Sequence, residues 1–188
     1  MLSALEHRLV EDIIKCKPKF AIYQAILGHI KRSAGLVGWD THGPKYILNK
    51  DGEAVYKGHF DYEKIVLLEK RLTRQFHKAL IYKKIWKKYF AIKPGPINDD
   101  YVDLYISIVD NAKRIIEARY PGSQFHVIFW DYGKNENTTK VIRGFQRKGI
   151  RVHLISHINP DIFNKLERYH LGFDTHPNSL AYLLLLNM

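Results

Sequence analysis

Apolar side chains first recur at helical spacing, at Leu5, Leu9 and Ile13 with charged residues between them. This predicts an amphipathic helix over about residues 4–16 that ends before Lys17-Pro18. The pattern then changes. Phe20-Ala-Ile-Tyr-Gln-Ala-Ile-Leu27 is a nearly unbroken apolar run of strand length, as in a strand covered on both faces of a parallel sheet, and it stops at Gly28-His29. Two β-type segments, residues 45–49 and 53–57, flank Lys50-Asp51-Gly52, which predicts a hairpin outside the main sheet. Residues 62 to about 90 are helix formers with Ile65, Leu68, Leu72, Phe76 and Leu80 three to four apart, predicting one or two long helices before Lys93-Pro94-Gly95-Pro96 breaks the chain. Asn98 or Asp99 can cap a further helix to about residue 120, with Val102, Tyr105, Ile106, Val109 and Ile116 on its buried stripe and a turn at Pro121-Gly122. The last third reads strand (125–130), helix (137–148), strand (151–155), a βαβ unit. A short helix over 161–169, the turn Asp174-Thr-His-Pro-Asn178 and a final apolar helix over 179–186 complete the chain.

The expected architecture is therefore α/β, three-layered, with a mostly parallel sheet. A chain of 188 residues with 46% hydrophobic content suits one domain, residues 1–188, with an insertion at about 39–96. The lone Cys16 cannot form an internal disulfide, so packing must hold the fold. The amino-terminal residues do not form a basic start followed by an apolar run, and no apolar stretch approaches the roughly 20 residues that span a bilayer. The chain as given reads as soluble, and cytoplasm and cell envelope both stay open.

Charge adds a candidate surface. The formal net charge is +11, and residues 62–93 concentrate it, with ten Lys or Arg against Glu63 and Glu69. Within that stretch Lys83-Lys84-Ile-Trp-Lys87-Lys88-Tyr-Phe90 interleaves cations with aromatics. Such a helix either solvates its charged face while its aromatics enter the core, or lies on an anionic membrane surface. No zinc-finger spacing, glycine-rich phosphate loop or RNA-binding aromatic signature accompanies it, which argues against nucleic acid.

The residues that suggest chemistry are Asp174 and His176, two positions apart in a predicted loop. A histidine is the natural general base near neutral pH, and a carboxylate on one ring nitrogen fixes its tautomer and stabilises the imidazolium. Pro177 stiffens the loop and Asn178 can cap the next helix. The plainer reading is a surface turn followed by that cap. His29 and Arg32 lie just past the first strand's carboxyl end, where an α/β sheet collects ligands, or His29 merely caps the strand. Trp39-Asp40-Thr41-His42-Gly43-Pro44 offers two potential metal ligands, too few for a closed site, and reads better as a structural loop. His153 and His157 flank the last strand's end, as cleft-lining or as packing residues.

The tail from Ile150 to Met188, with its strand, connecting helix and Asp-x-His-Pro-Asn-x-x-Ala run, resembles the last block of the SGNH/GDSL hydrolases. Residues 17–32, ending in His29-x-x-Arg32, look like the middle strand of one bacterial subset of that family. The resemblance implies an incomplete SGNH-hydrolase (flavodoxin-like) architecture with the hairpin and the long basic helix inserted. It implies ester hydrolysis or acyl transfer on an ester or acylated substrate, with His176 as general base, Asp174 orienting it, His29 and Arg32 on the oxyanion side, and no cofactor. The family's commonest spacing is Asp-x-x-His, whereas Phe173 stands at that third position here. The Gly-Asp-Ser block that carries the nucleophile is not found in this sequence, and none of Ser3, Ser33, Ser107, Ser123, Ser156 and Ser179 has an adjacent Gly-Asp. The chain thus resembles the family's C-terminal two-thirds, beginning partway through the sheet. A base without its nucleophile forms no acyl-enzyme, so the isolated chain should be close to inactive. The exposed sheet edge would invite self-association or a missing N-terminal segment. The alternative is a non-catalytic binding module that uses residues 62–93 on an anionic surface.

Overall fold

The structure, a computed structural model, describes residues 17–37, 43–60, 96–131, 135–169 and 177–181. It is a mixed α/β chain with a three-stranded parallel sheet, a separate antiparallel strand pair, and helices. Its described residues fall into two compact units, one containing 28–111 and the other containing 17–27 and 112–181.

The unit containing 28–111 opens with helix α1 (Gly28–Ser33), whose buried side is Ile30. The helix ends in paired reverse hydrogen bonds, Leu36 N–H to Lys31 O at 2.8 Å and Gly35 N–H to Arg32 O at 3.1 Å. This closure needs a left-handed residue, and Gly35 supplies it at φ +69°. A side chain there would also collide with the Phe60 ring, because a Cβ would lie 2.5 Å from Phe60 Cε1. The predicted hairpin forms from β2 (Pro44–Leu48) and β3 (Ala54–His59), antiparallel with Tyr46 opposite Tyr56 and an irregularity between Pro44 and Tyr46. Its turn is tied by Asn49, whose Oδ1 accepts from Asp51 N–H at 3.0 Å and Glu53 N–H at 2.8 Å. A buried bond, Ala54 N–H to Ser107 Oγ at 2.7 Å, fastens the hairpin to the next helix.

That helix, α2 (Asp99–Arg119), starts at Asn98, whose Oδ1 accepts from Tyr101 N–H at 3.0 Å, and two aspartates in its first turn complement the helix dipole. The expected stripe of Val102, Tyr105, Ile106, Val109 and Ile116 is buried, but so are Leu104, Ser107, Ile108 and Asp110. The middle of α2 is therefore enclosed on every side, beyond the one-faced stripe its spacing predicts.

In the other unit, β1 (Phe20–Ile26), β4 (Gln124–Trp130) and β5 (Arg151–Leu154) form the parallel sheet in the order β1-β4-β5. Register places Ile22 beside His126 and His126 beside Arg151. Phe125, Val127 and Phe129 bury one face of β4; on the other, Ile128 and Trp130 join Ile155, Ile162, Tyr169 and Ala181 in a core cluster. Toward the amino end of β1 that second face is open, with Phe20 52% and Ile22 62% exposed. Helix α3 (Glu136–Arg147) links β4 to β5. It is capped by Asn135, buries Thr138, Val141, Gly144 and Phe145, and closes through a second left-handed glycine, Gly149 at φ +65°.

The predicted helix over 161–169 is interrupted. One-turn helices α4 (Ile155–Ile158), α5 (Asp161–Asn164) and α6 (Leu166–Tyr169) follow β5, with Lys165 breaking the last two at φ −129°, ψ 54°. Asn178 then holds the chain against α6, its N–H donating to Tyr169 O at 2.8 Å and its Nδ2 to Arg168 O at 2.7 Å. Its Oδ1 accepts from Ala181 N–H at 3.1 Å, the cap expected there.

The two closing glycines give a paired test of stability. Gly35→Ala meets both the left-handed backbone and the Phe60 ring and should cost about 2–3 kcal/mol. Gly149→Ala has nothing within 4 Å of the added methyl, so it should cost about 1 kcal/mol from backbone strain alone. Urea midpoints of the two variants would measure the gap, and equal losses would refute the role given to Phe60.

Candidate functional site

In a parallel sheet the strand tips collect the polar groups that could act on a ligand. Register decides which residues meet there. Phe129 pairs with Leu154, so Asp131 and Ser156, each two residues further on, arrive side by side just past the carboxyl ends of β4 and β5. Asp131 Oδ1 accepts from Ser156 N–H at 3.0 Å, and Asp131 Oδ2 accepts from the Ser156 hydroxyl. The carboxylate therefore serves the start of α4 while it fixes the hydroxyl. A serine held in this way is oriented, but activating it for attack would take an imidazole to carry the proton away.

His29 occupies the first turn of α1 and is partly buried, with its ring edge-on to Tyr105 at 6.5 Å between centroids. Burial first, and then the Arg32 guanidinium, push its pKa down from 6.5 to about 4. The imidazole is consequently neutral at physiological pH. A neutral imidazole can donate one hydrogen bond and accept another, which suits polarising a carbonyl without carrying charge. Arg32 lies one turn along, on the same side of α1.

Other candidates from the sequence separate. His157 is exposed, and His153 bonds to His126 at 2.8 Å on the sheet face. Asp174 and His176, residues 62–93, and Asp40 with His42 lie outside the described residues. Among the described residues no group of three or more His, Cys, Asp or Glu is placed to hold a metal ion, and no helix is long and apolar enough to cross a membrane. Asp131 and His126 were not singled out by sequence. The one available signal for Asp131 was a carboxylate directly after an apolar strand, and its partner 25 residues on follows only from the register.

Two predictions follow from this chemistry. Asp131→Ala removes both bonds to Ser156 and should cost about 2 kcal/mol, whereas Ser156→Ala keeps the backbone bond and should cost about 1 kcal/mol. Denaturation of both variants checks the order, and an equal cost would contradict the helix-start role. For His29 the folded pKa lies below the unfolded value, so its stabilising contribution is complete above about pH 6.5 and is lost as pH falls toward 4. The total is up to about 3 kcal/mol. Urea titrations between pH 7 and 4 should show a shallower decline for His29→Gln than for the wild type; parallel declines would exclude a neutral buried His29.

No family model, no curated protein and no solved structure matches the chain.

Proposed function

We propose that this chain is an SGNH-type ester hydrolase or acyl transferase domain, acting on an ester or acylated substrate, whose own sequence lacks the Gly-Asp-Ser nucleophile. His176 is its general base, Asp174 orients that base, and His29 with Arg32 lines the oxyanion side. The observation that carries this reading is the His29 environment. In the resembling subset this position stands on the oxyanion side, where a neutral donor is needed, and here burial and Arg32 keep the imidazole uncharged. A parallel sheet with polar side chains at its strand tips supports the same reading, because catalytic groups in such folds gather there. The three-layered, incomplete SGNH architecture belongs to the proposal as well.

An activated-ester assay with parallel fluorophosphonate labelling tests it. The chain should resist labelling, since none of its serines stands in a Gly-Asp-Ser block. Its weak hydrolysis of p-nitrophenyl acetate should fall roughly 100-fold in His176→Ala. It should fall about 10- to 100-fold in His29→Ala. Stoichiometric labelling would place a nucleophile within the chain, and hydrolysis indifferent to His176 would sink the base assignment.

A further inference from the structure

Away from the strand tips, near the amino end of β4, one sheet face carries Gln124, His126, Arg151 and His153. His126 and His153 are diagonal neighbours on adjacent strands, since His126 is opposite Arg151 and His153 is opposite Ile128. Their planes differ by only 11°, yet the centroids are 5.1 Å apart while His126 Nδ1 and His153 Nε2 are 2.8 Å apart. Nitrogens that close on rings that distant mean edge-to-edge contact, an in-plane N–H···N hydrogen bond and not a face-on stack.

The direction of that bond can be assigned from its neighbours. The Arg151 guanidinium donates to Gln124 Oε1, so the amide presents its carbonyl oxygen, which only accepts. His126 Nε2 lies 3.3 Å from the same oxygen and must carry a hydrogen to bond it. Neutral His126 is therefore the Nε2–H tautomer with a lone pair on Nδ1, and His153 Nε2–H donates to that lone pair. The order is Arg151 to Gln124, His126 to Gln124, and His153 to His126.

We propose that His126 and His153 form an acid-sensitive clasp between β4 and β5, which takes up one proton on His153 while staying closed and opens when a second proton reaches His126. A proton on His153 Nδ1 leaves its Nε2–H in place and makes the bond charge-assisted. A proton on His126 Nδ1 occupies the lone pair that the bond requires, so two N–H groups then confront each other. The surroundings oppose this second step. From β5 both Arg151 and His153 face His126. From the β1 side Phe20 meets it edge-on at 5.8 Å, with the Lys19 ammonium 5.9 Å from the Phe20 ring centre. On β4 itself the same-face neighbours, Gln124 and Ile128, carry no charge. No carboxylate from these strands balances the accumulating positive charge. Burial, then His153 and Arg151, lower the His126 pKa from its usual value. Opening the clasp loosens β5, a four-residue strand paired within the described sheet only to β4.

Nitrogen-15 NMR of the native chain between pH 8 and 4.5 tests the clasp directly. A through-hydrogen-bond coupling between His126 Nδ1 and His153 Nε2 is expected at pH 8, should survive the first protonation step, and should vanish at the second. His153→Val should move the His126 midpoint upward, since it removes both the donor to Nδ1 and a cationic neighbour. Hydrogen exchange adds a second readout: at pH 5 the β5 amides of the wild type should exchange several-fold faster than those of His126→Leu. Absence of the coupling at pH 8, its loss at the first step, an unmoved His126 midpoint, or equal β5 exchange would each overturn the proposal.

Discussion

The arrangement of the sheet-bearing unit depends on β4 being apolar along one face and along the carboxyl half of the other. Phe125, Val127 and Phe129 bury the first face and Ile128 and Trp130 the covered part of the second, while Gln124 and His126 stand at its open amino end. Once β4 is fixed, the neighbours are aligned by backbone register over seven residue pairs with β1 and four with β5. Trp130 and Ile128 then form the floor on which the short helices after β5 settle, with Ile155, Ile162 and Tyr169 as their anchors. The polar groups of the strand tips are thus positioned by the apolar carboxyl half of β4.

Parts of this order are legible in the sequence because they are local. The Asp51-Gly52 turn, the change of period from strand to helix after residue 130, and the caps at Asn98 and Asn178 each involve residues within a few positions of one another. What sequence reading misses is set across strands. The bond from Ser156 to Asp131 spans 25 residues and that between His126 and His153 spans 27, and each exists only because parallel pairing fixes which residues are level. The division of the expected helix at Lys165 is a different kind of miss, since helical spacing over 161–169 continues through a residue whose backbone has left the helix. Of the site residues, His29 and Arg32 were marked by family resemblance and by their place after an apolar strand. The neutrality of His29 depends on burial that no linear pattern displays.

The formal charge of the chain is +11, and burial together with nearby cations lowers the pKa of two imidazoles, His29 and His126. Both lowered imidazoles sit beside arginine: His29 near Arg32 in one unit, His126 near Arg151 in the other. For each, burial is the larger cause and the guanidinium adds to it. The shared outcome is an uncharged ring at neutral pH, able to donate from one nitrogen while it accepts at the other.

The strand-tip serine and aspartate bear on where proton chemistry can reside. Asp131 has both oxygens engaged, one by a backbone N–H and one by a hydroxyl, and both bonds belong to the same residue at the start of α4. A carboxylate tied in this way stabilises a chain reversal. Withdrawing it to activate a nucleophile would uncap the helix that seats Ile155 in the core. The pair therefore secures the rim of the sheet. Among the imidazoles of the described residues, His126 is engaged with His153 and Gln124, His59 bonds to Tyr56, and His157 stands exposed; His29 is half-buried beside the Arg32 guanidinium with its ring edge-on to Tyr105. Its neutral ring can polarise a substrate oxygen without bringing another charge into a basic chain, and this is why the proposed oxyanion-side role rests on His29 and not on the serine at the strand tips.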